Sequence, residues 1–319
     1  RQPQDSPAAA IRLDAEENIS ERMILNMGPS HPSTHGVLRL VLEMDGERVV
    51  RCMPDVGYLH RGMEKLFENH GYHRFIPYTD RLDYLAPLSN NCSIALAAER
   101  VCGIEAPPRA NAIRVICCEL ARISAHLLGL GAYSMDVGAM TVFLYTFTER
   151  ERLYNFFEYL TGARFTTTYT RVGGVARDAE DGWLREVREF ANEFHKKVDT
   201  WERLLTRNRI WRIRNEGVGV ISQDLAISYG LTGPVGRASG IPYDVRKDRP
   251  YFGYEQYDFD VPVGERGDAY DRYLCRIEEM RQAARIVVQA IDAIPQGPIL
   301  ADEPKFVLPE KYDVLTGME

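Results

Sequence analysis

Two histidines, His31 and His35, lie four residues apart in the stretch GPSHPSTHG, which spans residues 28–36. On an α-helix this spacing would place both imidazoles on one face, where they could share a metal ion. Pro29 and Pro32 exclude an α-helix here, because proline lacks a backbone donor and its ring clashes with the preceding turn. The stretch is therefore predicted to be a loop between two strands. It is either an acid–base site or an ordinary turn.

Two further stretches concentrate residue types that are capable of proton chemistry. TDRLDYLAPLSNN, residues 79–91, carries Arg81 and Tyr84 before a predicted polar turn. YSMDVGAMT, residues 133–141, carries Asp136 as a single carboxylate among apolar residues, at the entrance to a predicted buried helix. A carboxylate in such a place is costly unless it is paired.

Histidine is a natural partner for such a carboxylate, because the negative charge favours the imidazolium form and fixes the orientation of the ring. The residues most suited to proton transfer are then His35, Tyr84 and Asp136. Spacing alone does not establish that the three stretches meet. The alternative is that they never meet, that the histidine loop is solvated and that Asp136 caps a helix.

Composition limits the possible classes of protein. The chain has 319 residues, 45% hydrophobic and 27% charged, which is typical of a globular protein with a sizeable core. Its net charge of −7 argues against a dedicated nucleic-acid binder. Without a run of 18 consecutive apolar residues, no membrane span is predicted. Residues 1–20 lack the apolar region of a signal peptide and are predicted to be a disordered lead-in.

The six cysteines have no spacing that is typical of a metal or iron–sulfur site. No C-x-x-C motif occurs, so the chain is predicted to hold no metal and no cluster of its own. We interpret them as small buried or surface residues: Cys52, Cys92, Cys102, Cys117, Cys118 and Cys275.

The hydrophobic pattern divides the rest of the chain in two. Residues 21–56 predict an antiparallel β-meander, with strands RMILNM, GVLRLVLEM and ERVVRCM and a hairpin turn at the Asp-Gly pair, 45–46. Residues 57–319 predict a helical-bundle domain with a mixed C-terminal region. Its expected elements are helices over 108–130, 139–160, 181–205 and 268–291, a short strand at 217–222 and a loop over 295–319. The first half of 139–160 is predicted to be buried, and TERER, 148–152, to be a solvated or partner-facing turn of that helix.

A set of longer motifs carries a family resemblance over about residues 20–300. In chain order they are MGPSHPSTHGVLRL, GYLHRGMEKL, DRLDYL, PPRANAIRVI, DVGAMT, TRVGGV, RASGIPYDVRK and FDVPVGERGDAYDRYLCRIEEMRQ. Together they resemble the D (49 kDa) subunit of respiratory complex I, the NADH–quinone oxidoreductase. That family is similar to the large subunit of [NiFe] hydrogenases without its nickel-binding cysteines, and this sequence likewise lacks both pairs of C-x-x-C motifs.

The resemblance implies an α+β fold that is [NiFe]-hydrogenase large-subunit-like, with an N-terminal β-meander, a central helical bundle and an irregular mixed C-terminal part. It implies a quinone-reduction site for ubiquinone or menaquinone, formed with a partner that carries the N2 [4Fe–4S] cluster, and coupling to proton translocation. The implied partners are the B (PSST-type), C (30 kDa), I (TYKY-type, ferredoxin-like) and membrane H subunits. The implied location is peripheral, on the cytoplasmic side of the inner membrane, with no activity for the isolated chain.

The resemblance also implies roles for single residues. It places His35 beside the quinone headgroup, gives Tyr84 a hydrogen bond to the quinone carbonyl, and makes Asp136 the partner of that histidine. His31 and Val137 are further expected quinone-binding residues. The two residues expected near the cluster of the neighbouring subunit are Arg81 and Thr166.

The sequence departs from the family at two places. Many members carry a histidine where this chain has Thr166, within RFTTTYTR, residues 164–171. Without that titratable group we expect a lower, nearly pH-independent cluster potential, which would suit a low-potential quinone such as menaquinone. The family also continues past Glu319 into a segment that lines the cavity, so we expect the chain to be a fragment.

Three other functions remain open at this point. The first is the large subunit of a related membrane-bound hydrogenase, against which the missing cysteine pairs argue. The second is a ferredoxin-fed or deazaflavin-fed relative of the quinone oxidoreductase. The third is a non-catalytic scaffold.

Overall fold

A computed structural model describes residues 22–303, 306–309 and 311–317, and the chain divides into two compact units, residues 1–64 and 65–319. The predicted lead-in, residues 1–20, lies outside the described residues. In the first unit, three strands form an antiparallel sheet in the order β1–β2–β3. They are β1 (Arg22–Met27), β2 (Arg39–Asp45) and β3 (Arg48–Asp55).

The predicted hairpin is confirmed. Asp45 pairs with Arg48, so that Gly46 and Glu47 form the turn. Gly46 has a φ of +58°, a left-handed conformation that glycine adopts at no steric cost. The Asp-Gly pair therefore predicts both the position and the length of this turn.

The second unit is mainly helical and contains a two-stranded ladder. Helix α1 (Met63–Phe67) includes the residues at which the chain passes from the first unit to the second. The other elements are α2 (Tyr72–Thr79), α3 (Pro87–Cys102), α4 (Pro108–Asp136), α5 (Met140–Thr161), β4 (Thr170–Arg171), β5 (Gly174–Val175), α6 (Asp181–Leu205), α7 (Arg209–Asn215), α8 (Gln223–Ser228), α9 (Gly233–Ala238), α10 (Val245–Asp248), α11 (Ala269–Asp292) and α12 (Lys311–Thr316).

Helix α4 is the centre of this unit. It packs against α3, α5 and α11, and α11 packs in turn against α6. The apolar residues whose spacing predicted α4 are all completely buried: Ile113, Ile116, Leu120, Ile123 and Leu127. Of the described helices, α4 alone is long and apolar enough to cross a bilayer by length and composition, but 67% of its most apolar window is buried inside the unit. Its packing is that of a core helix.

Four sequence expectations are wrong in this unit. The predicted polar turn after Tyr84 is the start of α3, which Pro87 opens at the first helical position. The segment 217–222 is not a strand, and the loop predicted over 295–319 contains α12. The first half of α5 is not buried by the described residues, since Met140 is 52% exposed and Leu144 57% exposed. An apolar stretch indicates that a surface favours burial. It does not show that other residues of the same chain cover that surface.

Candidate functional site

The histidine loop is organised by its own backbone and by Thr34. Pro32–Thr34 form a single 3-10 turn, and the Nδ1 atom of His31 accepts a hydrogen bond from the backbone N–H of Ser33 at 3.1 Å. The buried Thr34 hydroxyl donates to the carbonyl oxygen of His31 at 3.0 Å. His31 therefore has a supporting role within the loop, and the absence of an α-helix is confirmed.

His35 differs from His31. Its side chain is exposed and makes no hydrogen bond within the part of the chain that the structure describes. Its backbone is left-handed, with a φ of +53°, which costs a non-glycine residue about 1 kcal/mol. Backbone strain of this kind is concentrated at functional sites. The loop thus presents one imidazole that is available for an external contact.

Tyr84 lies in the turn between α2 and α3 and is 40% exposed. Its ring packs against Phe165, with ring centroids 6.0 Å apart. Its hydroxyl makes no hydrogen bond to any residue that the structure describes. The predicted site tyrosine is thus held by its ring while its hydroxyl stays available.

Asp80 joins the tyrosine turn to the threonine segment that follows α5. It is completely buried, accepts a hydrogen bond from Asn91 Nδ2 at 2.8 Å, and accepts others from the backbone N–H and the hydroxyl of Thr168. Burial raises the pKa of Asp80 above its usual value, although these hydrogen bonds favour its charged form. Sequence reasoning missed Asp80. It stands beside Arg81 in a motif with several charged residues, and the sequence does not show which of them is buried.

The predicted cluster-facing residues lie near the same turn. Thr166 directly follows Phe165, the ring on which Tyr84 packs, and is half-buried. Arg81 is exposed, and its Nη1 atom donates to the carbonyl oxygen of Pro77 at 2.5 Å. Arg81, Tyr84 and Thr166 therefore belong to one region of the fold, although they come from two separate stretches of the sequence.

Asp136 is not buried, in contrast to the expectation. It is the last residue of α4 and its side chain is exposed. A carboxylate at the C-terminal end of a helix opposes the helix dipole, so Asp136 does not serve as a stabilising cap. The interpretation of Asp136 as a helix cap is therefore wrong.

Helix α7 braces the turn that carries Asp136 and Val137. Arg214 donates a short hydrogen bond to the carbonyl oxygen of Val137. The buried Asn215 accepts a hydrogen bond from the hydroxyl of Tyr133, one turn before Asp136. Trp211 packs edge-on against the Tyr133 ring at 5.4 Å. A cavity of about 190 Å³ lies beside this turn, between the start of α5 and the α6–α7 corner.

A series of rings runs from Tyr84 along α5. Phe165 contacts Tyr154 at 6.3 Å, and farther toward the start of α5 Phe147 contacts Phe143 at 4.3 Å. We call these five rings the aromatic run. The run follows α5 from the tyrosine turn to the start of that helix, which begins four residues after Asp136, and Arg150 lies over both Tyr154 and Phe147 where the two ring pairs are not in direct contact. No direct contact joins Tyr84 to Asp136 among the described side chains, and His35 belongs to the other unit.

Arg150 completes the aromatic run. Its guanidinium lies over the rings of Tyr154 at 4.8 Å and Phe147 at 5.5 Å, and the residue is only 4% exposed. It makes no ion pair with a carboxylate of the described chain, and its Nη2 atom has no acceptor there. Burial lowers the pKa of Arg150. The predicted solvated turn at 148–152 is therefore wrong for this residue, because a charge pattern does not reveal which helix face points inward.

The described residues contain no group of three or more histidine, cysteine, aspartate or glutamate side chains that could hold a metal ion. By class, the molecule is an α+β protein with an N-terminal antiparallel sheet and a helical core.

Comparison with known proteins shows the family to which the chain belongs. Residues 136–319 match the family described as respiratory-chain NADH dehydrogenase, 49 kDa subunit. The chain is 58% identical to the D subunit of the NADH-quinone oxidoreductase of Methylacidiphilum infernorum, over 98% of this chain and 76% of that protein. It is 58% identical to the corresponding protein of Akkermansia muciniphila over 99% and 76%, and 59% identical to that of Opitutus terrae over 95% and 71%. The chain belongs to the 49 kDa family of NADH–quinone oxidoreductase subunits.

Proposed function

We propose that this chain forms part of the quinone-reduction site of an NADH–quinone oxidoreductase. One observation carries the proposal: the hydroxyl of Tyr84, which makes no hydrogen bond to the described residues, stands at one end of an aromatic run whose other end lies in the first turns of α5, a helix that begins four residues after Asp136. Flat rings beside a hydrogen-bond donor suit a quinone headgroup, which is planar and has carbonyl acceptors at its edge.

The chemistry assigned to the residues follows from the reaction. Reduction of a quinone to a quinol consumes two electrons and two protons, and the protons need donors within hydrogen-bond reach. Tyr84 donates a hydrogen bond to the quinone carbonyl and gives up that proton as the quinone is reduced, His35 supplies the second proton, and Asp136 supports the charged form of the histidine. His31 supports the histidine loop, and Val137 lines the site beside Asp136.

The electrons in this proposal come from an N2 [4Fe–4S] cluster in a partner of the B (PSST) type, near Arg81 and Thr166. The other partner subunits in this proposal are the C (30 kDa), I (TYKY-type) and membrane H subunits. The chain is peripheral, on the cytoplasmic side of the membrane, and is active only in the assembly. Loss of the proton from the pair of His35 and Asp136, which leaves the carboxylate without a positive partner, then serves as the trigger for proton translocation elsewhere.

Replacement of Asp136 by Asn tests the acidic half of the site. Because the change removes the charge but keeps the shape, we expect quinone-dependent NADH oxidation in the assembled complex to fall about tenfold, since the carboxylate acts through another group. NADH oxidation with ferricyanide is expected to stay unchanged. Asp224→Asn, at an exposed position of α8, is the matched control. Equal quinone rates in the two variants would remove Asp136 from the site.

The threonine at position 166 gives a prediction about the neighbouring cluster. Without a titratable side chain there, we expect the midpoint potential of that cluster to change little between pH 6 and pH 8 in redox titrations of the assembled complex. Thr166→His is expected to introduce a pH dependence, up to about 59 mV per pH unit for one electron coupled to one proton. A slope of that size in the unmodified complex would contradict the assignment of Thr166.

A further inference from the structure

A second cavity lies between α4 and α11 and takes no part in the proposed quinone site. It has a volume of about 310 Å³. Leu130 and Tyr133 of α4 face Ile277 and Met280 of α11 across it. We call it the α4–α11 cavity. Its volume is at the lower end of the range for small-molecule sites.

Two arginines of α11 are the charged residues that line this cavity, Arg272 and Arg276. Arg272 donates to the carbonyl oxygens of Gly267 at 2.8 Å and Gly219 at 3.0 Å. Among the described residues, the guanidinium of Arg276 has one hydrogen-bond acceptor, the carbonyl oxygen of Arg272 at 3.0 Å from Nη1. Neither guanidinium forms an ion pair with a carboxylate of the described residues. Most of the donor capacity of Arg276 is therefore unused.

The neighbouring carboxylates are engaged elsewhere. Asp268 accepts from the backbone N–H groups of Asp271 at 2.8 Å and Gly217 at 2.9 Å. Glu279 accepts from Arg237 at 2.6 Å and bonds His126 at 2.7 Å. Burial lowers the pKa of Arg276 and the like charge of Arg272 adds to that effect, while the negative charge of Glu279 offsets part of it. An anion in the cavity would relieve this electrostatic cost.

We propose that the α4–α11 cavity binds a phosphate group that is joined to a short apolar chain. A guanidinium matches the geometry of phosphate oxygens through paired N–H donors, and two guanidinium groups suit its charge. The apolar walls, Leu130, Ile277 and Met280, accommodate the attached chain. A phospholipid headgroup fits both features, and free phosphate fits the first alone. The proposal does not depend on the quinone site.

The probe is a short-chain phosphatidylglycerol that carries a photoreactive group in its acyl chain, added to the delipidated, assembled NADH–quinone oxidoreductase. We expect covalent labelling of peptides within 127–133 or 269–280. Arg276→Gln is expected to raise the probe concentration that gives half-maximal labelling about tenfold, which corresponds to 1.4 kcal/mol. Arg276→Lys, which keeps the charge without the paired donors, is expected to raise this concentration less.

Arg285→Gln is the matched control, because Arg285 lies two to three turns farther along α11 and pairs with exposed Asp258. Competition separates the two sources of phosphate. Displacement of the label by unlabelled phosphatidylglycerol but not by inorganic phosphate identifies a lipid, and displacement by both identifies a site for the phosphate group itself. Both outcomes support the proposal.

Three outcomes would overturn it: no label at these peptides, equal labelling in the Arg276→Gln and unmodified complexes, or labelling only after the subunits are dissociated. The last would show that a protein partner covers the cavity in the assembly. If Arg276→Gln fails to assemble, the competition in the unmodified complex and the Arg276→Lys variant decide the matter.

Discussion

An assembled complex with Tyr84→Phe is expected to reduce quinone about 100-fold more slowly than the unmodified complex, the lower end of the range for loss of a positioned proton donor. The substitution removes only the hydroxyl. The ring keeps its contact with Phe165, so the turn between α2 and α3 is expected to keep its structure. Electron input from NADH to ferricyanide is expected to stay unchanged.

The kinetic constants distinguish the two roles of this hydroxyl. If the hydrogen bond strengthens as the quinone gains charge, its loss lowers kcat. If the bond is equally strong in the substrate and the transition state, its loss raises KM. We expect the larger change in kcat. Tyr229→Phe is the matched control, since Tyr229 is 76% exposed and outside the proposed site. An unchanged quinone rate for Tyr84→Phe would show that the site assignment is wrong.

Local patterns were sufficient to predict the three strands of the N-terminal sheet and the four longest helices, α4, α5, α6 and α11. The strands β1–β3 follow alternation and an Asp-Gly turn, and α4 and α6 follow the helical period with clear starting residues. The segment 217–222 shows the limit of this approach. Gly217 and Gly219 have φ values of +69° and +58°, which an extended strand cannot contain. Alternating valines favoured a strand, but glycine gave the chain a conformation that the pattern does not reveal.

The sequence suggested residues for the proposed site, but not the contacts that organise their surroundings. Motif resemblance singled out Tyr84 and Asp136, whereas the links that organise their surroundings join residues far apart in sequence. Asp80 bonds Thr168, 88 residues later, and Arg150 lies against rings of its own helix instead of in solvent. A helix with charged residues on several faces has no sequence signal for the face that becomes buried.

The second large effect is expected at Glu279, at the centre of a buried polar contact between α4, α9 and α11. One carboxylate oxygen accepts from Arg237 at 2.8 and 2.6 Å, and the other bonds His126 at 2.7 Å. Both Glu279 and Arg237 are almost completely buried. Removal of one partner of a buried ion pair leaves an uncompensated charge and costs about 3–5 kcal/mol.

Glu279→Gln is therefore expected to lower the free energy of unfolding of this chain by about 3 kcal/mol, the lower end of that range, because Asp244 stays 3.8 Å from the buried Arg237 and compensates part of its charge. Hydrogen exchange of the α11 amides within the assembled complex measures the change. Glu278→Gln is the matched control: it is the adjacent residue, and its side chain is 39% exposed. Equal exchange in the two variants would contradict a stabilising role for the buried pair.

The same pair predicts how stability depends on pH. Burial alone would raise the pKa of Glu279, but the hydrogen bond from His126 and the charge of Arg237 outweigh it and hold the pKa at about 2, below its usual 4.5. Burial lowers the pKa of His126, so at neutral pH the imidazole is neutral and Arg237 supplies the compensating charge. Because the folded-state pKa is depressed, this stabilisation, on the order of 3 kcal/mol, is complete above about pH 4.5 and is lost as the pH falls toward 2. The Glu279→Gln variant should lack that part of the acid sensitivity, whereas the Glu278→Gln variant should retain it. The measurement is hydrogen-exchange protection of the α11 amides between pH 4.5 and pH 2. A steep loss of this protection in both variants would show that another carboxylate is responsible.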